Sequence, residues 1–194
     1  MDTRSVRVIL ASKSPRRREL LAQIIPEFDI ITADADETLE DGVHPRLGVE
    51  ILAVRKGEAV AARYPEAIVI SSDTLVELDG VPLGKPEDED HAARMLRSLS
   101  GRSHNVHTGV AVHYRGRVHS GVDSTAVVFR DMSDEEIRAY IATFEPMDKA
   151  GAYAIQGEGG KFVLRYDGNF DTVVGLSIDL CKSLVSRALE CEHD

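Results

Sequence analysis

Val6-Arg7-Val8-Ile9-Leu10-Ala11-Ser12-Lys13-Ser14-Pro15-Arg16-Arg17-Arg18-Glu19-Leu20-Leu21 is the stretch from which the rest of the chain is read. The apolar, branched residues up to Leu10 predict a buried strand, the small residues after it a turn, and the residues from Pro15 a helix. Ser14 suits the helix cap, and Pro15 suits its first position because the missing N–H would have had no intrahelical partner. Leu20, Leu21 and Ile24 give the helix an apolar stripe. A helix start carries about half a positive charge and favours acids, yet Arg16, Arg17 and Arg18 occupy this first turn. Each cation there costs up to about 1 kcal/mol at low salt, and less when exposed. A bound anion removes that cost: free backbone N–H groups, the Ser12 and Ser14 hydroxyls and forked guanidiniums together make a phosphate site of the strand-loop-helix kind. The plainer reading is a basic turn whose long side chains reach into water.

With 194 residues, 43% of them hydrophobic and 29% charged, the chain is an ordinary globular one, long enough for one sizeable core or for two lobes sharing a cleft. Its formal net charge of −10 argues against non-specific nucleic-acid binding and directs the arginines toward a small anionic ligand. No apolar run approaches the ~18 residues of a membrane span, and Met1-Asp2-Thr3-Arg4 has no signal-peptide pattern, so a cytoplasmic protein without a membrane partner is expected. Cys181 and Cys191 lack a Cys or His at metal-ligand spacing and are read as reduced thiols.

Phe28 to Thr32 predicts a second short strand, followed by an acidic loop reaching Gly48. Such a loop is ordinarily just solvated; Asp36 and Glu37 gain meaning only if a cation is needed nearby, as polyphosphate chemistry usually demands. Val49 to Arg63 predicts a helix closed by Tyr64-Pro65, with Val49, Leu52, Ala53, Ala59 and Val60 on one side and Lys56 among them. Lys56 either snorkels to the edge of that stripe or holds its ammonium at the lip of a cleft, facing a phosphate. Gly57 is expected to cost the helix about 1 kcal/mol without consequence for chemistry.

Ala67 to Leu78 predicts a central strand whose polar residues begin at its C-terminal end, where open α/β sheets place ligands. Asp73 is there a metal ligand or base, or else the cap of a turn. Asp79-Gly80 marks a hairpin, Pro86 to Leu99 a helix, and His104 to Tyr114 and Arg117 to Phe129 two long strands turned at Arg115-Gly116. His104 and His107 fall on opposite faces of their strand, which argues against a shared zinc, and all seven histidines are read as structural or exposed. Ser133-Asp134-Glu135-Glu136 is a capping box. Glycines 151, 157, 159 and 160 bracket a predicted short strand, Ala152 to Gln156, and match neither a dinucleotide fingerprint nor a P-loop. Lys161 to Tyr166 and Thr172 to Leu176 are expected to complete the sheet, and Ser177 to cap a last helix carrying Ile178, Cys181, Leu184, Val185 and Leu189.

Leu10-Ala11-Ser12-Lys13-Ser14-Pro15-Arg16-Arg17-Arg18-Glu19-Leu20-Leu21 resembles the N-terminal signature of the Maf family of nucleoside triphosphate pyrophosphatases. The resemblance continues in order through Asp36-Glu37, Lys56, Ser72-Asp73-Thr74 (where the family has Ala-Asp-Thr), Gly84-Lys85-Pro86, and Leu99-Ser100-Gly101 with His104 and Thr108-Gly109-Val110. Lys149-Ala150-Gly151 and Tyr153-Ala154-Ile155-Gln156-Gly157 resemble the group that takes pyrimidine triphosphates. Gly57 and Ser177 depart from it, standing where alanine and proline are usual.

The resemblance implies one Maf-like domain over 1–194, with an α/β fold. It implies a mixed twisted sheet in an elongated, two-lobed structure with a central cleft, similar to inosine triphosphate pyrophosphatases and commonly dimeric. It implies hydrolysis of a nucleoside triphosphate, dTTP or UTP, between its α- and β-phosphates. Glu37 and Asp73 would hold Mg²⁺ or Mn²⁺, Asp73, Lys56 and Lys85 would be catalytic, Ser12, Arg16 and Arg17 would hold the triphosphate, and Gln156 would lie near the base or sugar. Two alternatives remain: a modified substrate such as 7-methyl-GTP, and a non-catalytic nucleotide sensor regulating cell division.

Overall fold

Residues 6–190 are described by a computed structural model. The elements are β1 (Val8–Leu10), α1 (Pro15–Ala22), β2 (Asp29–Ile30), α2 (Pro45–Ala61), β3 (Ile68–Leu78), β4 (Val81–Leu83), α3 (Glu89–Leu99), β5 (Ser103–Tyr114), β6 (Arg117–Phe129), α4 (Asp134–Ile141), β7 (Val163–Asp167), α5 (Phe170–Val174) and α6 (Ile178–Glu190). The strands form one open, mixed sheet in the order β2-β1-β3-β5-β6-β7, with β4 paired to β3. The described residues fall into two compact units, the first drawn from 6–73, Thr108–Asp123 and 175–190, the second from Thr74–His107 and Ser124–Val174.

The first unit is built around β1, parallel to β2 (Ile9 opposite Asp29) and to β3 (Leu10 opposite Ile70). Val8, Ile9 and Leu10 are all buried, as a strand covered on both faces requires. Ile9, Ala11, Val60, Ala67 and Val69 form one cluster of its core. α1 begins as its sequence dictates, with Pro15 in the first turn and the Ser14 side chain accepting the Arg17 N–H. It buries Leu20 and Leu21; Ile24 is only partly covered, and Ile25 completes the apolar stripe.

α2 starts four residues earlier than the apolar periodicity alone predicts. His44 caps it, its Nδ1 accepting the Arg46 N–H at 3.2 Å, and Pro45 opens it. Ala59 is only partly covered. α6 is capped by Ser177, whose hydroxyl accepts the Leu180 N–H at 3.4 Å and donates to Asp123 at 2.7 Å. Its stripe is Cys181, Leu184, Val185 and Ala188 rather than Leu189. Cys181 is a free thiol pushed up to about 12 by burial, while Cys191 and Met1-Asp2-Thr3-Arg4 lie outside the described residues.

The second unit packs α3 and α4 with the antiparallel pairs β3–β4 and β6–β7. Its core includes Leu96, Phe129, Tyr140, Tyr153 and Phe162. α3 starts at Glu89, not Pro86, because Asp88 is extended and accepts the His91 N–H at 2.6 Å, so the cap lies two residues past the proline. The capping box at Ser133 and Glu136 forms in both directions. Residues 152–156 are not a strand. Ala152 ends a short 3-10 turn at Ala150–Ala152 with left-handed φ at Gly151 and Ala152, and the residues after it run irregularly to a second turn at Glu158–Phe162. Thr172 to Leu176 adds no strand either: the β-branched run forms the short helix α5, with Thr172 and Val174 buried.

His104 and His107 do take separate partners, Tyr153 in one case and Glu77 with Ser124 in the other. Among the described residues, no helix is long and apolar enough to cross a membrane.

Candidate functional site

Where the parallel ladder of the first unit ends, four elements place charged side chains together. β1 stops at Leu10, and the last ladder-like bond from the chain beyond it is the Ala11 N–H to the Ile70 carbonyl at 2.8 Å. β3 itself continues to Leu78. Asp73 is therefore inside a strand rather than at its end, which removes the turn-capping reading, yet it stands just past the point where its parallel neighbour stops.

Lys56 of α2 reaches Asp73, Nζ to Oδ1 2.6 Å, and also Glu37, Nζ to Oε2 3.1 Å. The side chains of Lys56 and Asp73 are 21% and 13% exposed, against 64% for Glu37. One ammonium thus joins a sheltered carboxylate on the sheet to an exposed one on a loop. The loop is held in place by Arg55, whose guanidinium donates to the carbonyls of Asp36 (3.3 Å) and Thr38 (2.5 Å). Asp36 is occupied in turning it: its carboxylate accepts the Thr38 N–H at 2.9 Å and is held below the usual range chiefly by that bond. No residue pattern singles out Arg55 in the sequence, because its partners lie 17 and 19 residues away.

The arginines of α1 divide into two kinds. Arg17 turns inward, its Nε donating to the Gly175 carbonyl at 2.9 Å and its Nη1 to the Ser72 carbonyl at 2.7 Å and the Ser12 hydroxyl at 3.4 Å. Ser72 adds a hydroxyl bond to the same Gly175 carbonyl at 2.8 Å. Arg17 therefore ties the loop after β1 to the residue before Asp73 and to the segment entering α6. Burial lowers its guanidinium below the usual range, with Asp73 and Glu37 opposing that shift and Arg16 adding to it. The Arg16 guanidinium makes no hydrogen bond to another described residue and Arg16 is partly covered, while Arg18 is exposed. The cationic first turn is thus explained in part by the backbone carbonyls that Arg17 meets. Ser12 is buried, and its hydroxyl also accepts the Ser14 N–H at 3.3 Å.

Behind Lys56, Gly57 proves to be a packing requirement. A Cβ on it would lie 2.5 Å from Ser71 Oγ and from His113 Cδ2. Ser71 Oγ donates to the Ala53 carbonyl at 2.6 Å, and His113 Nε2 contacts the Val54 carbonyl at 3.1 Å, so both fasten α2 to the sheet one turn before Lys56. Burial lowers the His113 pKa, only partly offset by that bond and by Glu58. To the expected helix cost of Gly57 the structure adds a close approach of α2 to Ser71 and His113 that a Cβ would block.

Two of the sequence candidates, Lys85 and Gln156, belong to the second unit. Lys85 follows β4 and is exposed; Gln156 is exposed on the irregular segment between the 3-10 turns.

The residues of the first unit fit a divalent cation in kind: Glu37 and Asp73 offer hard oxygen donors directed at one cationic point, now the ammonium of Lys56. Among the described residues no group of three or more Asp, Glu, His or Cys side chains could hold a metal. An ion would draw its remaining ligands from water and substrate phosphates, as Mg²⁺ commonly does.

The Maf-like protein family matches residues 7–188, nearly the whole chain. The chain belongs to the Maf-like proteins. It is 48% identical over 172 residues to a dTTP/UTP pyrophosphatase of Bacillus velezensis, covering 89% of this chain and 91% of that one. It is likewise 48% identical over 174 residues to a dTTP/UTP pyrophosphatase of Thermococcus kodakarensis, covering 89% and 92%. Among solved structures, the Ham1 protein of Staphylococcus aureus superposes with a TM-score of 0.53 at 16% identity, over 96% of this chain and 99% of that one. That likeness shows a shared mixed α/β fold. In this Maf-like chain the signature arginines, Lys56 and Asp73 thus lie within a single unit.

Proposed function

We propose that this Maf-like protein hydrolyses nucleoside triphosphates, dTTP and UTP in preference, to the nucleoside monophosphate and pyrophosphate. The observation that carries the reading is the Lys56–Asp73–Glu37 cluster at the end of the parallel ladder, beside a helix start rich in arginine. The named relatives support the choice of substrate. A family match spanning both units supports treating 1–194 as one domain.

In this reading Ser12, Arg16 and the first-turn N–H groups of α1 bind phosphate oxygens, and Arg17 holds the loop that presents them. Lys56 shifts from its carboxylates toward the triphosphate, where an ammonium stabilises the charge that develops on the leaving pyrophosphate. Asp73 then orients a water and takes its proton as the water oxygen bonds to the α-phosphorus and the bond to the bridging oxygen breaks. Glu37 and Asp73 would hold Mg²⁺ or Mn²⁺, which supplies charge neutralisation to the phosphates when bound. Lys85 and Gln156 are assigned from the family segments they stand in, Lys85 to the phosphates and Gln156 to the base or sugar. The protein is proposed to act in the cytoplasm as a homodimer.

The test is a substrate panel with Mg²⁺: pyrophosphate release from dTTP, UTP, ATP, GTP and 7-methyl-GTP. Highest kcat/KM on dTTP and UTP is expected. Best turnover of 7-methyl-GTP would overturn the choice of base, and tight binding without pyrophosphate would overturn the enzyme in favour of a sensor.

A further inference from the structure

The glycine-rich stretch from Gly157 to Gly160 plays no part in the phosphate chemistry above, and its shape is imposed from outside it. Glu145 accepts the Glu158 N–H through Oε2 at 3.0 Å and the Gly159 N–H through Oε1 at 3.1 Å. The Tyr140 hydroxyl donates to the same Oε1 at 2.7 Å and accepts the Ala154 N–H at 3.1 Å. One carboxylate and one phenol therefore take backbone N–H groups on both sides of Ile155-Gln156-Gly157, and the Gly157 N–H closes the turn on the Ala154 carbonyl at 3.2 Å.

Two of the glycines follow from this arrangement. A side chain at Gly157 would collide with the Glu145 carboxylate, and a Cβ at Gly159 would lie 2.6 Å from the Tyr140 hydroxyl. Both anchors are themselves fixed. Tyr140 is fully buried and packs edge-on against Phe162 with ring centres 5.3 Å apart. Burial works against the Glu145 charge, but the Tyr140 hydroxyl and the Gly159 and Glu158 amides, with Lys149 nearby, hold its carboxyl below the usual range. Gln156 stands with Gly157 and Glu158 at the exposed tip between a buried Ala154 and a buried Gly159.

We propose that Glu145, together with Tyr140, is a specificity-determining positioning residue: by clamping the turn on both sides it fixes where Gln156 presents its amide, and so sets discrimination between bases. Neither residue touches substrate in this account. The proposal rests on the reading of Gln156 as the base or sugar contact. An amide rejects the wrong partner only when its donor and acceptor are held in place, because a misdirected donor or acceptor meets either partner equally well.

The experiment compares Glu145→Gln, Tyr140→Phe and Gln156→Ala with the wild type on dTTP and on ATP, each with Mg²⁺. Inhibition by inorganic tripolyphosphate and a thermal melt are recorded on the same preparations. Glu145→Gln keeps size but turns one acceptor oxygen into a donor that faces another donor. It should raise the KM for dTTP about tenfold, change kcat by less than about threefold, and lower the dTTP-to-ATP ratio of kcat/KM about tenfold. Tripolyphosphate, which has no base, should inhibit as before. Tyr140→Phe should move the ratio in the same direction and less far, and it decides the matter if Glu145→Gln does not fold. If Gln156→Ala leaves the ratio unchanged, the reading of Gln156 fails. If Gln156→Ala lowers the ratio while a folded Glu145→Gln or Tyr140→Phe keeps it at the wild-type value, the positioning role is overturned. Equal losses on both nucleotides with weakened tripolyphosphate inhibition would overturn it as well.

Discussion

Replacing Gly57 by alanine should damage this chain in both stability and turnover. On helix propensity alone the change should stabilise by about 1 kcal/mol, since glycine is that much worse than alanine inside a helix. The structure opposes that gain. The new Cβ would lie 2.5 Å from Ser71 Oγ and 2.6 Å from His113 Nε2, closer than real Cβ contacts come, and both neighbours are buried. Overpacking of this kind costs about 1–3 kcal/mol. If Ser71 rotates away, its 2.6 Å bond to the Ala53 carbonyl goes with it, and an unsatisfied buried hydroxyl adds about 1–3 kcal/mol. The net is a loss of about 2 kcal/mol, or a fall in Tm of about 4–8 °C for a chain of this size. Relief by shifting α2 outward moves Lys56, the next residue, off its 2.6 Å contact with Asp73, and a displacement of about 1 Å near the chemistry can cost on the order of a hundredfold in rate. Thermal melts and kcat/KM on dTTP measure both effects. Adding His113→Ala should recover part of each, giving a positive coupling in the double-mutant cycle. A Gly57→Ala protein that melts higher than wild type with unchanged kcat/KM would refute the reasoning.

Arg16→Lys should cut kcat/KM more than tenfold with Tm within about 1 °C, because it loses the planar fork that meets phosphate and no bond that the fold uses. Arg17→Lys should lower Tm by several degrees along with activity, because a single ammonium cannot replace the paired bonds to the Gly175 and Ser72 carbonyls; identical melting of the two variants would contradict this division. His104 is buried against Phe129 and Tyr153, and burial lowers its pKa to about 4 from 6.5. A base depressed in the folded state contributes stability fully above pH 6.5 and loses it as pH falls toward 4, about 2 kcal/mol by pH 5. His104→Gln should remove that slope from urea unfolding measured between pH 7 and pH 5, and a slope equal to the wild type's would count against it.

Where local chemistry decides the backbone, the chain is legible. The Ser14-Pro15 start of α1, the Ser133 capping box, the Asp79-Gly80 hairpin and the strands from 103 to 129 are all set by neighbours within a few residues. Where a distant group decides, it is not. Residues 152–156 have strand-like composition, but the Tyr140 hydroxyl takes the Ala154 N–H and left-handed φ at Gly151 and Ala152 breaks the extended backbone where a strand would begin. Thr172-Val173-Val174 is β-branched, yet burial of Thr172 and Val174 makes it a helical turn. α2 begins at Pro45 because a histidine caps it, a residue outside the usual capping set. In the candidate site, Lys56, Asp73 and Glu37 were reachable from residue type and family motif, and the structure brings these three into contact. The inward role of Arg17 was not, since its carbonyl partners lie 55 and 158 residues away.

In the proposed reaction the carboxylate of Asp73 serves the hydrolysis itself. Asp73→Asn keeps the size and much of the hydrogen bonding while removing the charge that a divalent cation, or a water losing its proton, requires. Mg²⁺-dependent pyrophosphate release from dTTP and calorimetric binding of a non-hydrolysable triphosphate, measured on one preparation, separate the roles. Release should fall more than about a thousandfold, with the triphosphate still bound through Arg16, Lys56 and the α1 start. Release within a few-fold of wild type would contradict that role for Asp73.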